Sequence, residues 1–514
     1  MNENTPVIIG VGEASERIDS PDYQALSPAD LAGLAAGAAV VDAGAVGDLA
    51  VAIGVIAAIR QFEVSGPRAV APFGKADNFP RAVARRIGAN PTRAILEPVG
   101  GQGPQHLINE FAQAIGAGEM DLALICGSEA ISTVRHLVAK GETRDWSETV
   151  GGELEDRGFG PVLMTADVAR HGARTPINVY AMFENARRAR LGLNRADYAL
   201  EMGRLFSPFT EVAAANPHAM SREIHSAEAL ATVTLSNRLT AEPYTRRLVA
   251  RDQANQGAAV IIASVAKARA LGVPEDRWIY LHGGADAQER SPMERADWSV
   301  GPASVLAAKQ ALDVAGLAAD DIDVFDLYSC FPIAVFNVRD GLGVAADDPR
   351  PLTVTGGLPY FGGAGNNYSM HAIASMVRRL RANPTERGFV AANGGFLSKY
   401  SVGIYSARPA VWKGFDSKAL QAEIESWPSP PVAAGEGVGV IETYAIDHAH
   451  KIPVGIVVGR LKDGGARFVA MTDPHDETIV RRMIAIDPLG ASVTIAQHPD
   501  HHAIISEFSP DGGA

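Results

Sequence analysis

Four glycine-rich turns hold the residues of this chain whose types could do chemistry. The first lies in ILEPVGGQGPQ, where Gly100, Gly101, Gln102 and Gly103 precede Pro104. Glycines there let the backbone turn sharply and bring its N–H groups close to a ligand, as donors to a carbonyl oxygen. A tight strand-to-helix turn with no ligand explains the same residues, and both readings stay open. The second, Asp326–Pro332 (DLYSCFP), offers the phenol of Tyr328 and the thiol of Cys330. A phenol can donate to an enolate oxygen, or exchange protons where its pKa is lowered; the alternative is an aromatic packed at a strand end. Cys330 reads as a small buried hydrophobe. The third, Thr355–His371, groups Tyr360, Gly363, Asn366, Asn367 and Tyr368 around a turn, with His371 inside the next helix. Imidazole suits acid/base work near neutrality, although a lone helical histidine is more often structural. In the fourth, FVAANGGFLSKYSVGIYS, Asn393 is the polar side chain on the turn that contains Gly394 and Gly395; as a plain turn residue it needs no further role.

The elements that would position these turns follow from periodicity. A strand ends before Gly100, and Pro104 suits the first turn of a helix on which Leu107, Ile108, Phe111 and Ile115 share one face. Val7–Val11 and Leu49–Ala57 read as strands, Asp30–Val41 and Phe79–Ile87 as helices, and Ala254–Ser264 as another buried strand. The apolar runs lack period-two alternation, as expected of strands covered on both faces. Strands alternating with helices predict an α/β protein with a parallel or mixed sheet. The alternation resumes with Ala303–Ala315, Asp321–Leu327 and Phe331–Leu342, so the element order is duplicated. Between the halves, residues 133–246 form a loop-like and helix-rich insert. Its Arg187, Arg188 and Arg190 read as a solvated helical face. Beyond the proline- and glycine-rich SWPSPPVAAGEGVG, the short runs Val440–Ile446, Pro453–Leu461 and Arg467–Thr472 predict a small antiparallel barrel. The expected domains are 1–265, including the insert, 266–413, a linker at 414–438, and 439–514.

Composition narrows the function classes. Of the 514 residues 47% are apolar and 20% charged, the balance of a globular protein. No apolar run approaches the roughly 20 residues of a membrane helix, and the N-terminus runs directly into a strand, so a cytoplasmic protein is expected. A formal charge of −13 without a basic cluster argues against nucleic acid. Cys126 and Cys330 supply neither a disulfide framework nor a zinc site.

The glycine frame carries a family resemblance. Ile115–Gly118 and Gly127–Ser132 (GSEAIS) resemble, at the right spacing, the thiolase segment in which Cys-x-Ser-Gly opens a central helix ahead of Ile-x-x-Gly and Gly-Gly-x-Glu-Ser-Met-Ser. Counting back, the nucleophilic cysteine falls on Gly101. DLYSCFP is similar to the Asn-Glu-Ala-Phe or His-Asp-Cys-Phe loop, with Tyr328 at the Asn/His position and Ser329 at the acid. Gly356-Gly357 aligns the Gly-His-Pro loop, so that its histidine falls on Gly363, beside Asn366 and Asn367. Gly394-Gly395 aligns Cys-x-Gly-Gly, so that the second cysteine falls on Ala392. The resemblance spans roughly residues 5–410 and implies a duplicated, five-layered αβαβα thiolase fold with a helical loop domain. It also implies that some of the insert's arginines contact coenzyme phosphates. The appended barrel resembles the OB-like extra domain of thiolase-like type 1 proteins.

Such a chain is expected to act on CoA thioesters without a covalent acyl intermediate. Tyr328, Ser329, His371 and Asn393 are its catalytic candidates. The backbone of Gly101, Gln102 and Gly103, together with Tyr360, Gly363, Asn366, Asn367, Gly394 and Gly395, would bind substrate. Retro-aldol cleavage of a β-hydroxyacyl-CoA fits, and resembles the steroid side-chain aldolases, which work with an OB-fold partner. The alternatives are acetyl-CoA acetyltransferase or lipid-transfer-type thiolase chemistry, and non-catalytic binding of acyl-CoA or lipid. No tightly bound cofactor is implied, since coenzyme A enters as part of the substrate. Monomer and homodimer both remain open.

Overall fold

The computed structural model describes residues 2–161, 164–433, 436–498 and 501–510. Residues 162–163 of the insert, 434–435 of the expected linker, and 499–500 and 511–514 of the expected last domain lie outside the described residues. The first half runs β1 (Pro6–Ser15), α1 (Pro28–Asp42), β2 (Val55–Ile59), α2 (Phe79–Arg86), β3 (Arg93–Glu97), α3 (Gly103–Ala117) and β4 (Leu122–Ala130). An insert containing β5 (Glu155–Asp156), α4 (Pro176–Leu191), α5 (Arg195–Ala215), β6 (Leu239–Glu242) and β7 (Tyr244–Thr245) separates β4 from β8 (Asn255–Ser264). The second half comprises β9 (Ile279–Gln288), α6 (Pro302–Ala315), β10 (Val324–Leu327), α7 (Pro332–Gly341), α8 (Tyr368–Ala382), β11 (Arg387–Gly394) and β12 (Lys399–Ser406). The strand expected over Leu49–Ala57 is in fact a short helix, Leu49–Ala52, followed by β2. Asp48 caps that helix by accepting from the Val51 N–H.

The two halves repeat one topology. In the first, β2 lies parallel to β3 and β4, β4 antiparallel to β8, and β8 antiparallel to β1. In the second, β10 lies parallel to β11, β11 antiparallel to β12, and β12 antiparallel to β9. The place of β3 is taken by an irregular extended segment, to whose Pro351 and Leu352 carbonyls Phe325 and Leu327 donate at 2.9 and 3.0 Å. Pairing of β1 with β9 joins the halves into a ten-stranded sheet. Strand β1 shows why five layers form: Val7 and Ile9 point into the core beneath α1, while Ile8 and Val11 point to the central layer. There α3 and α8 pack on each other, burying Leu107, Ile108, Phe111 and Ile115 from α3. The duplicated α/β architecture is therefore the one that the element order predicts.

The tail closes as a five-stranded barrel, β13 (Gly437–Asp447), β14 (Val454–Leu461), β15 (Arg467–Met471), β17 (His501–Ser509) and β16 (Ser492–His498), in that spatial order. It is not a loose appendage. The far end of β13 pairs with β6 of the insert, and α4 lies between the barrel and the second half. Asn178 and Asn185 on α4 donate to Asp447 and to the Tyr444 carbonyl of β13 at 2.8 and 3.0 Å.

This wedge corrects the reading of the arginines. Arg187 and Arg188 are 2% and 1% exposed, not solvated. Arg187 pairs with Asp340 at 2.8 Å and Glu201 at 3.0 Å and stacks over Phe336, while Arg188 pairs with Asp487 of the tail at 2.6 Å. Neither is left to hold a coenzyme phosphate. Arg190 remains half-exposed at 3.9 Å from Asp340. Removing the buried guanidinium of Arg188 strands the groups it satisfies, a loss of about 1–3 kcal/mol. Arg188→Met should lower the midpoint of urea unfolding accordingly and raise hydrogen exchange along β13.

Candidate functional site

The four turns converge on one cavity of about 400 Å³, in a groove between the halves that the insert covers. Gly101, Tyr328, Gly363, Asn366, Asn393, Gly394 and Gly395 all line it. Phe62, Phe159, Phe331 and Phe396 supply apolar wall, and Asp252 and Lys399 are the charged side chains in the lining.

Tyr328 determines what this cavity can do. Its N–H donates to the Ala391 carbonyl at 3.0 Å, and its ring stands edge-on to Tyr368, with centroids 5.4 Å apart. The hydroxyl thereby lies against Gly101, where a Cβ would fall 2.2 Å from it and 2.6 Å from the Asn393 carbonyl. No side chain fits at position 101 while Tyr328 holds this rotamer. Burial pushes the phenol's pKa well above its ordinary value, so Tyr328 is a neutral donor and not the acid/base that a lowered pKa would make it. Its hydroxyl makes no hydrogen bond among the described residues, nor does the Gly101 N–H. The Gly101 carbonyl, by contrast, accepts from Ser369 of α8 at 2.6 Å.

Asn393 is held from behind. Its side-chain amide N–H donates to Tyr180 of α4 at 2.9 Å and reaches Cys330 Sγ at 3.8 Å, while its side-chain oxygen Oδ1 has no partner among the described residues. Tyr180 in turn donates to the Gly395 carbonyl at 3.1 Å. Cys330 is a wall residue, and burial pushes its thiol up to about 12, far from a nucleophilic thiolate. Asn366 donates to the Arg60 carbonyl at 2.9 Å and Ser65 at 3.1 Å, fixing two rims of the cavity together.

The remaining candidates lie elsewhere, each for a visible reason. Ser329 points away from the cavity and accepts from the Leu358 N–H at 3.1 Å, because successive residues after a strand face opposite sides. His371 is fully buried on α8, with Nδ1 2.6 Å from Glu13 of β1. Burial opposes ionisation of Glu13, yet the His371 hydrogen bond and the charges of His371 and Arg378 hold its pKa below the usual value. That histidine is held in the core by its hydrogen bond to Glu13. Tyr360 packs edge-on against Phe206, and its hydroxyl lacks a partner among the described residues. Asn367 is buried beneath Gly127, and Tyr368 donates to Asp326 at 3.2 Å. Gly103 opens α3 outside the lining. The Gln102 side chain faces a neighbouring cleft of about 570 Å³, beside His106, Glu97 and Asp286.

Two residues, one lining the cavity and one behind its Gly365 wall, escape a reading based on the family's catalytic positions. Glu129 ends β4 within GSEAIS; its carboxylate accepts from the Phe62 N–H at 2.7 Å and rests against Gly365. Burial pushes its pKa up to about 8, despite the Phe62 and Asn366 N–H groups. Lys399 opens β12 and donates to the Val99 carbonyl at 2.8 Å. A lone cation inside an apolar hairpin was the available signal for it.

A duplicated αβαβα fold whose nucleophile position is a glycine closed off by tyrosine defines a thiolase-fold protein without the thiolase cysteine. Among solved structures, a monomeric SCP2-thiolase like protein type 1 from Mycobacterium smegmatis is 44% identical, with 98% of this chain and 99% of that chain covered and a TM-score of 0.84. The chain belongs to the SCP2-thiolase-like protein type 1 family. A family profile described as "Thiolase-like protein type 1 additional C-terminal domain" matches residues 419–500. The fold is also similar to an Ltp2-ChsH2(DUF35) aldolase (19% identity, 78% and 98% covered, TM-score 0.57). It likewise matches the dimeric peroxisomal thiolase of Saccharomyces cerevisiae (14%, 79% and 98%, 0.57). No curated protein matches the sequence. Among the described residues there is no side-chain cluster suited to a metal ion, and no helix is long and apolar enough to cross a membrane.

Two outcomes follow from the packing. Gly101→Ala should cost about 1–3 kcal/mol as an overpacked site, and Tyr328→Ala should recover part of that loss in the double variant, leaving the Asn393 clash, as read from urea midpoints. For Glu129, a folded pKa of about 8 against an ordinary 4.5 means that the folded state binds the proton more tightly. Stability is then fully present below about pH 4.5 and falls as pH rises through about 8. Glu129→Gln should narrow the difference between urea midpoints measured at pH 5.5 and pH 8.

Proposed function

We propose that this chain is an enzyme that cleaves a carbon–carbon bond in a β-hydroxyacyl-CoA by a retro-aldol step, with no covalent acyl-enzyme. The observation that carries the reading is the Tyr328 hydroxyl standing where a side chain at position 101 would project. A thiolase needs a thiolate there to hold the acyl group. This cavity offers a neutral phenol and the free Gly101 N–H, which are donors suited to an enolate oxygen. Retro-aldol chemistry needs such donors and no nucleophile. The aldolase named among the fold's neighbours supports the same class, and the substrate enters as its coenzyme A ester without another cofactor. Acetyl transfer fits poorly, because the one thiol in the lining is protonated at neutral pH.

The protein is further proposed to be cytoplasmic and to act as a monomer. The free edge of β3 is covered by its own β5, through Ile95–Glu155 and Leu96–Asp156 pairing, which removes the backbone groups that a second copy would pair with. Non-catalytic acyl-CoA binding is supported by the aromatic walls alone and leaves the unpartnered phenol without a role.

Assays of straight- and branched-chain 3-hydroxyacyl-CoA esters, scoring release of acetyl-CoA and a ketone or aldehyde, test the reading. Tyr328→Phe should lower kcat by about 10²–10³, the cost of one donor to a developing oxyanion, with substrate binding retained. A Tyr328→Phe enzyme that turns over as well as wild type sinks it.

A further inference from the structure

Tyr328 can donate but cannot take a proton, so the cavity needs a second group. Retro-aldol cleavage requires an acceptor for the β-hydroxyl proton. The side-chain amides of Asn366 and Asn393 are not bases. Cys330 is held as a thiol beside Asn393. Asp252 lies at the rim, half-exposed and ion-paired to Arg135. Glu129, against Gly365, is outside the lining and occupied by the Phe62 N–H.

Lys399 remains. It is 9% exposed and pairs across the hairpin with Gly394. It lines both the cavity and the neighbouring cleft. The Nζ–Val99 bond fixes the amine to the residue immediately before the Gly100–Gly101 turn. Resting on the retro-aldol reading, we propose that Lys399 is the general base of this cavity, taking the β-hydroxyl proton while Tyr328 and the Gly101 N–H hold the thioester oxygen. The step balances without a co-reactant. The amine gains the hydroxyl proton, the electron pair of the O–H bond becomes the second bond of the new carbonyl, and the Cα–Cβ pair becomes the enolate. The enolate carbon then recovers a proton, leaving acetyl-CoA and a ketone or aldehyde.

An amine must be uncharged before it acts as a base. Burial lowers the Lys399 pKa, whereas the nearby Glu97 charge raises it, with the net shift downward. The neighbouring cleft is lined by Glu97, His106, Glu110 and Asp286. Glu97 is nearly buried and bonded to Arg157 at 3.0 Å, Arg157 holds Glu110 at 2.7 Å, and His106 lies 3.8 Å from Glu97 and 3.2 Å from Asp286. His106 is pushed up to about 9: burial opposes this, but Asp286 and Glu97 outweigh it. Lys399 also lines this open cleft, where its proton can be exchanged with water.

Lys399→Arg separates a base from a mere prop, since guanidinium keeps the charge and the donor to Val99 but cannot accept a proton. With wild type turning over a 3-hydroxyacyl-CoA, kcat/KM of Lys399→Arg should fall by about 10²–10⁴, with an unchanged thermal midpoint. Lys399→Ala should regain activity on addition of ethylamine, increasingly so at higher pH. Should Lys399→Ala fail to fold, the arginine variant decides alone. Activity retained in Lys399→Arg but lost in Tyr328→Phe overturns the role of Lys399 and leaves the retro-aldol reading standing. No turnover by wild type on any ester overturns both.

Discussion

The contact between the Tyr328 hydroxyl and the bare Cα of Gly101 is the constraint around which the site is built. It brings a turn of the second half against the N-terminal turn of α3, close enough that any side chain at position 101 would overlap the phenol and the Asn393 carbonyl. Neighbouring bonds hold all four turns to that spacing. Ser369 pins the Gly101 carbonyl, the Tyr328 N–H is bonded to β11, and Asn366 ties its turn to the Arg60–Ser65 rim. Glycine at position 101 is therefore not an empty socket awaiting a nucleophile. The space has been filled from across the cavity.

The insert and barrel support the same site from outside. Tyr180 on α4 reaches the Asn393 amide and the Gly395 carbonyl, so the helix that carries Arg187 and Arg188 also backs the fourth turn. Its opposite face is bound to the tail through Asn178, Asn185 and Arg188. Glu184, on the same helix, accepts from Tyr198, Tyr244 and the Ile333 N–H that opens α7 directly after the Tyr328 turn. One helix thus couples the barrel to two of the four turns, and buried charge satisfied at both ends defines where it sits.

How much of this was legible in the sequence depended on whether a property is local. Element order, helix caps and the glycine frame follow from spacing along the chain, and they led to the duplicated fold and to the four turns that meet. Which way a side chain points after the turn is not local. Ser329 and Tyr328 are adjacent, yet one hydroxyl supports the Leu358 N–H and the other enters the cavity. His371 was read from its type, and its partner Glu13 lies 358 positions away on β1. The spacing of Arg187 and Arg188 suits a solvated face, but the barrel and α7 cover them. Lys399 and Glu129 were inside quoted segments but stood at no position where the family's chemistry would place a reactive group.

Burial decides the chemistry that such a cavity can support. Desolvation disfavours charge, so it raises the phenol of Tyr328, the thiol of Cys330 and the carboxyl of Glu129 while lowering the amine of Lys399. Every one of these shifts favours the neutral form. A neutral thiol is a poor nucleophile, and a neutral phenol is a poor base but a sound donor. A lowered amine pKa eases loss of the proton from Lys399. Under the retro-aldol proposal, the environment that keeps Cys330 a thiol also keeps Tyr328 a hydrogen-bond donor, whose bond to a developing enolate oxygen counts for more in a low-dielectric site than it would in water.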